Sequence, residues 1–543
     1  MSDIASDTTI PGTPELSRRT FLGLAGAAGL ALSGICGAVA PGQLVLAAGN
    51  DTVIMAHSGD PKSWCPDVIP DDYSYYPVQN MFHRLTKLDV TRNVIPDAAE
   101  SWDVSDDGLT ITFHLRQDLF WSDGEPLTSA DVVYTFEGIK ANEACYLHTN
   151  MTNVDSFEAP DDYTAVFHLA KPDMSLISTI GWYAGFILPK HVYDVEGVDW
   201  VDNAAAIVTN IPVTSGPYRL VEYKQGQSVT LEANESYYHV PQIKRLVYSI
   251  ITDDATSVQA LLNAEIDVLL NVPTANVATV EADPSLRVVK RDDPTPTRIL
   301  FNFERTERHL DDPAVRRAIC MCIDRDAISK KAFGGIMPPE TNFYPSHWEQ
   351  YTNSEDIAPA YDPQGARKLL EEAGYVADGN GMYITGLTID AFSGSGNDEC
   401  AKLIAAEMTS AGLECSVVMS EMNAWSDKVG QQHDFDIELQ SGFLGPDPYA
   451  LKLRWGTGVG PNYGSYSNPE FDELCEQANA TADEATRVEL YKQAQAILAK
   501  DLPFVPICAA AYNDAFAAGL VNTPVDGKGK WAGVEWTFAE WSE

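Results

Sequence analysis

Residues 95–140 read IPDAAESWDVSDDGLTITFHLRQDLFWSDGEPLTSADVVYTFEGIK and contain the patterns of a strand, a turn and a helix. Asp106-Asp107-Gly108 is a turn signal, and apolar and polar residues then alternate over 109–115, as in a half-buried strand. Thr128 is a candidate N-cap with Asp131 three residues on, the spacing of a capping box, which predicts a following helix. The stretch is therefore a compact structural unit without an obvious catalytic residue.

The same stretch resembles the signature region of a known family. Ser101-Trp102, the run DDGLTITFHLR and the run WSDGEPLTSADVVYTFE are similar to the family 5 extracellular solute-binding proteins, the peptide- and nickel-binding receptors of bacterial and archaeal ABC importers. The resemblance implies an α/β, periplasmic-binding-protein-like fold of two lobes (type II, large peptide-binder class). It also implies an extra subdomain on lobe I and a two-strand hinge.

Further segments resemble this family, and they follow in the family's order. They are ILPKH at 187–191, TSGPYRL at 214–220 with the hairpin after it, the helix opened by Asp312-Pro313, and YDP at 361–363. These matches cover nearly all of the chain beyond its N-terminal segment. The resemblance therefore does not depend on one motif.

The strand and helix patterns predict where the lobes begin and end. Residues 245–270 read as strand, helix, strand, which favours parallel pairing in an α/β lobe. The chain is expected to cross into a second lobe at 297–303 and to return along the apolar run 502–509. The predicted domains are a signal peptide (1–48), lobe I (49–300, with a subdomain at about 90–210), lobe II (301–503) and a return to lobe I (504–543).

The composition is that of an acidic globular protein. With 543 residues the chain is too long for one ordinary core, and 36 basic against 78 acidic residues give a net charge of −42. Such a surface repels nucleic acid and anionic lipid, so we expect neither as a partner. The acidity is either a solvated surface or a recruiter of cationic ligands. We expect a monomer.

The N-terminal segment resembles a twin-arginine export signal. Arg18-Arg19 is followed by an uncharged run of apolar and small residues at 21–40. Cleavage after Ala40 or near Ala47 and Ala48 is consistent with the small residues there. A membrane span and a lipid anchor at Cys36 are the alternatives. The protein is therefore expected to be exported, as a periplasmic or cell-surface-associated protein.

Nine cysteines occur in the chain, and eight remain once the signal is removed. An even count is compatible with disulfides in an exported protein, and buried thiols are the alternative. No CxxC or HxxxH spacing occurs, and the ten histidines are scattered, so we expect no metal site and no cofactor.

The resemblance also indicates where a ligand would bind, which is a cleft between the lobes. In the family, the loop after the first strand lines this cleft, and two loops of the second lobe complete it. The candidate ligand-binding residues are Ser63, Trp64, Ser393, Ser395, Asn397, Trp425, Ser441, Gly442, Phe443, Leu444 and Asp447.

Two of these loops depart from the family's pattern. The resemblance implies that peptide-binding members hold the peptide's ammonium with an Asp after a GW pair, and that dipeptide binders hold the carboxylate with an Arg in the Ser-Gly loop. Here either Leu444 stands where the Asp would be or the loop is shorter, and the loop at 392–398 contains no Arg. Asp447 either caps the next helix or binds an amine. We therefore expect a ligand other than a free dipeptide held by both termini.

The predicted function is the capture of a peptide or peptide-like solute for an ABC permease and its ATPase subunits. The ligand could be a longer or blocked peptide, a modified amino acid, or a neutral polyhydroxylated compound stacked on an aromatic ring. A glycan, a metal chelate, or presentation of the ligand to a sensor are the alternatives. The chain contains no GxSxG, Walker loop or HExxH, so we do not expect an enzyme.

Overall fold

The computed structural model describes residues 51–68, 71–89, 93–194, 213–292, 296–392, 396–442, 444–526 and 535–542. The predicted signal at 1–48, with Cys36, lies outside these residues. So do the candidate residues Ser393, Ser395 and Phe443.

Strands occur along the whole described chain. They are β1 (Thr52–His57), β2 (Thr86–Leu88), β3 (Val94–Pro96), β4 (Ala99–Val104), β5 (Thr110–Leu115), β6 (Val154–Asp161), β7 (Thr164–Leu169), β8 (Tyr218–Lys224), β9 (Ser228–Ala233), β10 (Arg245–Ile250), β11 (Val268–Leu269), β12 (Leu286–Asp292), β13 (Thr297–Phe301), β14 (Ile384–Phe392), β15 (Leu413–Ser420), β16 (Ile437–Ser441), β17 (Phe504–Cys508), β18 (Ala511–Ala517), β19 (Leu520–Val521) and β20 (Glu540–Trp541).

The α-helices alternate with these strands. They are α1 (Asp72–Val78), α2 (Ser129–Ala141), α3 (Ser175–Thr179), α4 (Lys190–Tyr193), α5 (Asp254–Leu262), α6 (Val277–Glu281), α7 (Pro313–Cys322), α8 (Arg325–Ala332), α9 (Pro363–Glu372), α10 (Asn397–Ser410), α11 (Met422–Trp425), α12 (Ala450–Trp455), α13 (Pro469–Ala480) and α14 (Glu484–Asp501).

Two sheets organise the described residues. A seven-stranded sheet has the order β12-β18-β11-β1-β10-β9-β8, and a five-stranded sheet has the order β15-β14-β16-β13-β17. In the second sheet β14 is parallel to β15 and β16, whereas β13 is antiparallel to β16 and β17. We call the part built on the seven-stranded sheet lobe I (51–292 and 511–542) and the part built on the five-stranded sheet lobe II (296–508).

The chain passes between the two sheets twice. The first passage lies between β12 and β13, and the second lies between β17 and β18. The boundaries predicted after residues 300 and 503 differ from these passages. The physical reason is that β13 and β17 pair with each other, so both belong to the five-stranded sheet.

The unit predicted at 95–140 forms part of a four-stranded sheet, of order β4-β5-β7-β6, next to α2. The alternation along β5 is confirmed, since Ile111 and Phe113 are buried. The Asp131 carboxylate accepts a hydrogen bond from the backbone N–H of Thr128 at 2.8 Å, as the capping-box spacing predicted. Phe136 of α2 packs against this sheet, with its side chain fully buried.

All eight cysteines of the described residues are free thiols, and seven of them are buried. Cys320 and Cys322 lie in α7, and the Cys322 thiol donates to the Ala318 carbonyl at 3.0 Å. The sequence pattern at 434–439 predicts a strand, whereas β16 begins at Ile437. The Asp434 carboxylate accepts a hydrogen bond from Arg305 at 2.5 Å.

Candidate ligand-binding site

The loop after β1 packs into lobe I. Trp64 is 1% exposed, and its ring meets Tyr223 edge to face with centroids 5.4 Å apart. The Ser63 hydroxyl accepts from the Cys65 N–H at 3.0 Å, and the Ser63 N–H donates to the Ser74 hydroxyl at 3.2 Å. Both predicted residues thus stabilise the loop, and the Trp64 ring offers almost no open surface for stacking.

Asn397 and Trp425 lie in lobe II, and both are buried. Asn397 is the first residue of α10, and neither atom of its side-chain amide has a hydrogen-bond partner among the described residues. Trp425 ends α11 and contacts Phe392 edge to face, with centroids 5.3 Å apart. The Trp425 indole N–H likewise has no partner in the described parts of the chain.

The loop after β16 is held to its own lobe. The Ser441 and Thr297 hydroxyls are 3.0 Å apart, and the Gly442 carbonyl accepts from Arg298 at 2.8 Å. Leu444 is 1% exposed and belongs to the lobe II core.

Asp447 uses both carboxylate oxygens within the protein. One accepts from the Tyr449 N–H at 2.9 Å, just before α12, and the other pairs with Arg487 at 2.5 Å. Asp447 therefore bonds within lobe II, two residues before Tyr449, the N-cap of α12. A ligand amine would have to displace Arg487 to reach Asp447.

These predicted residues do not form one cluster. Trp64 packs in the lobe I core, Leu444 packs in the lobe II core, and Trp425 belongs to a separate small cluster with Val429 and Phe435. Two other surfaces, which the sequence did not single out, concentrate binding chemistry.

The first surface is an aromatic cluster in lobe I. Tyr75 stacks on Tyr183 with ring centroids 4.3 Å apart, and Tyr146 lies 5.1 Å from Tyr183. Trp182 lies 6.3 Å from Tyr146, and the Tyr183 hydroxyl donates to Asp72 at 3.1 Å. Tyr146 is 47% exposed, so the cluster presents aromatic surface outside its lobe. We call these four rings the aromatic cluster.

The second surface is a layer of polar side chains on the lobe II sheet. Lys428 pairs with Asp390 at 2.5 Å, and Arg298 donates to the Gln440 side chain at 2.6 Å. Glu438 is 0% exposed, and neither of its oxygens has a hydrogen-bond partner in the described chain. We call these five residues the charged layer.

Burial controls the pKa values in this layer. It raises the pKa of Glu438 to about 8, against the opposing effect of Arg298 and Arg454. It also raises the pKa of Asp390, which the hydrogen bond from Lys428 opposes. Burial lowers the pKa of Arg298, which nevertheless stays protonated at neutral pH.

Arg454 connects the two surfaces. It belongs to α12 of lobe II, and its charge acts both on Glu438 and on Tyr146 of the aromatic cluster. The charged layer and the aromatic cluster therefore approach the same seam between the lobes.

A pocket of about 760 Å³ lies between the lobes, apart from the charged layer and the aromatic cluster. Such a volume lies in the range of small-molecule sites. In its wall, Arg487 donates to the Tyr351 hydroxyl at 3.1 Å, and that hydroxyl donates to Glu484 at 2.9 Å. Its lining residues are Asn93, Val94 and Ser178 of lobe I, with Trp348, Glu349, Gln350, Tyr351, Pro446, Asp447, Pro448, Glu484 and Arg487 of lobe II.

No three metal-binding side chains come close enough to hold an ion in the part of the chain that the structure describes. Over the same residues, every helix is too short or too polar to span a membrane.

Comparison with known proteins now gives the family. Residues 93–462 match the description "Bacterial extracellular solute-binding proteins, family 5 Middle". The chain belongs to this family. The family resemblance seen in the sequence and the predicted two-lobe α/β fold are thereby confirmed.

Individual relatives span nearly the whole chain. The dipeptide-binding protein of Escherichia coli (strain K12) is 26% identical over 508 residues, which cover 88% of this chain and 93% of the relative. Heme-binding protein A of Haemophilus influenzae is 28% identical over 496 residues, covering 84% of this chain and 87% of the relative. The crystal structure of the ABC transporter substrate-binding protein CtaP from Listeria monocytogenes superposes with a TM-score of 0.80 at 26% identity, covering 91% of this chain and 99% of that one.

Proposed function

We propose that the chain is the capture subunit of an ABC importer, and that it delivers a peptide or peptide-like solute to a permease served by ATPase subunits. Membership of the solute-binding family supports this function, as do two lobes joined by two connections. The observation that carries the proposal is the arrangement of side chains at the seam between the lobes. There, an aromatic cluster and a charged layer approach each other, and closing the lobes would enclose a ligand between them.

The ligand is proposed to be something other than a free dipeptide bound by both termini. Asp447 is engaged by Arg487, and the loop at 392–398 contains no Arg that could hold a carboxylate. A longer or blocked peptide, or a modified amino acid, satisfies both observations.

The experiment has two parts. Protein purified from its native host is denatured, and the released material is identified by mass spectrometry. Calorimetry then compares a library of free dipeptides with longer and terminally blocked peptides. We expect a released peptide-like solute, and tight binding of library members other than free dipeptides.

Two results would contradict these statements separately. Tight binding of many unblocked dipeptides would refute the ligand class but leave capture intact. Release of a solute with no amino-acid component, together with no peptide binding, would refute the proposed function.

Export by the twin-arginine route completes the proposal. Arg18-Arg19 and the uncharged run at 21–40 support it. Replacing both arginines by lysine should leave the precursor inside the cell, which fractionation measures. The Cys36→Ser variant separates a lipid anchor from simple secretion, because only an anchored protein would lose its membrane association.

A further inference from the structure

Parallel strands place two carboxylates side by side on lobe II. Asp390 of β14 and Glu438 of β16 are register partners, so their side chains leave the same face of the sheet. The flanking residues Ile389, Ile437 and Leu439 pack in the lobe II core. The two carboxylates leave the opposite face of the sheet from these three residues, and Leu300, the register partner of Glu438 on β13, lies on the same face as the carboxylates.

One of these carboxylates is buried without a hydrogen bond from the described residues. Glu438 is 0% exposed, yet neither of its oxygens accepts a hydrogen bond from any described group. The second oxygen of Asp390 is also without a partner in the described chain. Buried polar groups in folded proteins are almost always hydrogen-bonded, so these atoms require an occupant.

The nearby cationic side chains of the protein do not supply the missing hydrogen bonds to these oxygens. Arg298 donates to the carbonyls of Pro296 and Gly442 and to the Gln440 side chain, at 3.1, 2.8 and 2.6 Å. Lys428 binds the other oxygen of Asp390. Arg454 influences Glu438 through its charge, but no hydrogen bond joins the two among the described groups.

We propose that Glu438 and Asp390 form the subsite that receives a cationic nitrogen group of the ligand, an ammonium or a guanidinium. This proposal rests on the capture function proposed above. Such a group presents several N–H donors to the three oxygens that lack a hydrogen-bond partner among the described residues. The aromatic cluster on the other side of the seam offers ring faces that also attract cations.

Binding of a cation at this subsite should release a proton, which can be measured. Burial raises the pKa of Glu438 to about 8, Arg298 and Arg454 oppose the rise, and Asp390 adds to it. The carboxyl group of the empty protein is therefore mostly protonated at neutral pH. A bound cation favours the carboxylate, so binding releases about one proton at about pH 7.

The test uses three matched pairs of short peptides, each with a cationic and a neutral member. Two pairs are blocked peptides that contain arginine or citrulline, and lysine or norleucine. The third is an alanine peptide with a free or an acetylated N-terminus. Calorimetry in two buffers of different ionisation enthalpy gives affinity and proton release together. We expect at least one cationic member to bind about tenfold or more tightly than its neutral counterpart. The Glu438→Gln variant should lose both that preference and the proton release. Glu372→Gln, which changes a surface residue of α9, is the matched control and should keep them.

Three outcomes would overturn the subsite. They are equal affinity within every pair, a cationic preference that survives in Glu438→Gln, and a panel in which no cationic member binds. Any of them would mean that Glu438 holds an internal water only. A peptide found in the released material would still support the proposed function in each case, so the two proposals fail separately. Asp390→Asn should weaken the preference as well, and it provides a second variant if Glu438→Gln does not fold.

Discussion

A buried carboxyl group such as that of Glu438 makes the free energy of unfolding depend on pH. Its pKa rises from an ordinary 4.5 to about 8 in the folded protein. Between these values the folded state keeps a proton that the unfolded state has released. The stabilising contribution is therefore complete below about pH 4 and is lost as the pH rises through about 8.

We expect Glu438→Gln to remove this dependence, because glutamine has the shape of the protonated acid but cannot ionise. Relative to the wild type, the variant should gain stability between about pH 4 and about pH 9, by up to about 5 kcal/mol. Urea unfolding at several pH values measures the difference between the two proteins. Asp67 and Glu407 also have a pKa raised to about 7 by burial, so only this difference isolates Glu438. Parallel pH profiles for the two proteins would contradict the raised pKa.

Lys87 shows the opposite case, a buried charge that lies between two carboxylates. It is 1% exposed and lies 3.0 Å from Asp97 and 3.2 Å from Glu535. Removing one partner of a buried ion pair leaves an uncompensated charge, so we expect Lys87→Met to lower the free energy of unfolding by about 3 to 5 kcal/mol. Lys368→Met, in an exposed pair with Glu372, should change it by less than about 1 kcal/mol. Thermal unfolding of the two variants compares them, and equal effects would contradict this reading.

Sequence patterns predicted strands and loops, but they did not predict which residues are buried by distant parts of the chain. The alternation of Glu438 and Gln440 with apolar Ile437 and Leu439 was available in the sequence, but period two alone does not say which face of a strand meets a ligand. Likewise, Trp64 follows β1 as expected, whereas its burial depends on Tyr223, which is distant in the sequence. Contacts of this kind come from tertiary packing and leave no local signal.

At the scale of elements, one contact joins α13 of lobe II to the segment before α3 of lobe I. The Asn479 amide accepts from the Ser175 N–H and donates to the Asp173 carboxylate, both at 2.9 Å. The Asn479 carbonyl accepts from the Met174 N–H at 2.9 Å. We call this set of bonds the interlobe clasp. Because Asn479 is 3% exposed, water competes little for these bonds.

We expect the Asn479→Ala variant to release bound ligand about tenfold or more faster, since two side-chain hydrogen bonds of about 1 kcal/mol each are lost between the lobes. Stopped-flow displacement of a bound ligand measures the dissociation rate. Gln477→Ala, on the same helix but bonded only to Glu473 among the described residues, is the control. An unchanged dissociation rate would mean that the clasp does not hold the lobes together.

Element order was predictable because local signals agreed with one another. The helix at α2 had its cap, α7 and α9 had Asp-Pro starts, and β5 had its alternation. The passages between the lobes were displaced by a few residues because strand pairing, and not local sequence, assigns β13 and β17 to the lobe II sheet.

For the whole molecule, the net charge of −42 and the proposed subsite for a cation together predict how salt affects the binding rates of a cationic ligand. A strongly acidic protein raises the local concentration of cations and speeds their approach, and salt screens this attraction. The final contacts of a cation with Glu438 and Asp390 are buried, so salt should affect the association rate far more than the dissociation rate.

We therefore expect the association rate of a cationic peptide to fall several-fold between about 0.05 M and about 0.5 M salt, while its neutral counterpart associates at a nearly constant rate. Stopped-flow fluorescence is suited to this measurement, because Trp182 of the aromatic cluster lies near the seam. In Glu438→Gln the salt dependence should persist, since one charge among many is removed, although the affinity falls. If the variant instead lost the salt dependence together with the affinity, attraction would come from the subsite and not from the acidic surface as a whole. The two contributions are separable because long-range charge acts on the approach of the ligand, whereas the buried carboxylates act on the bound ligand.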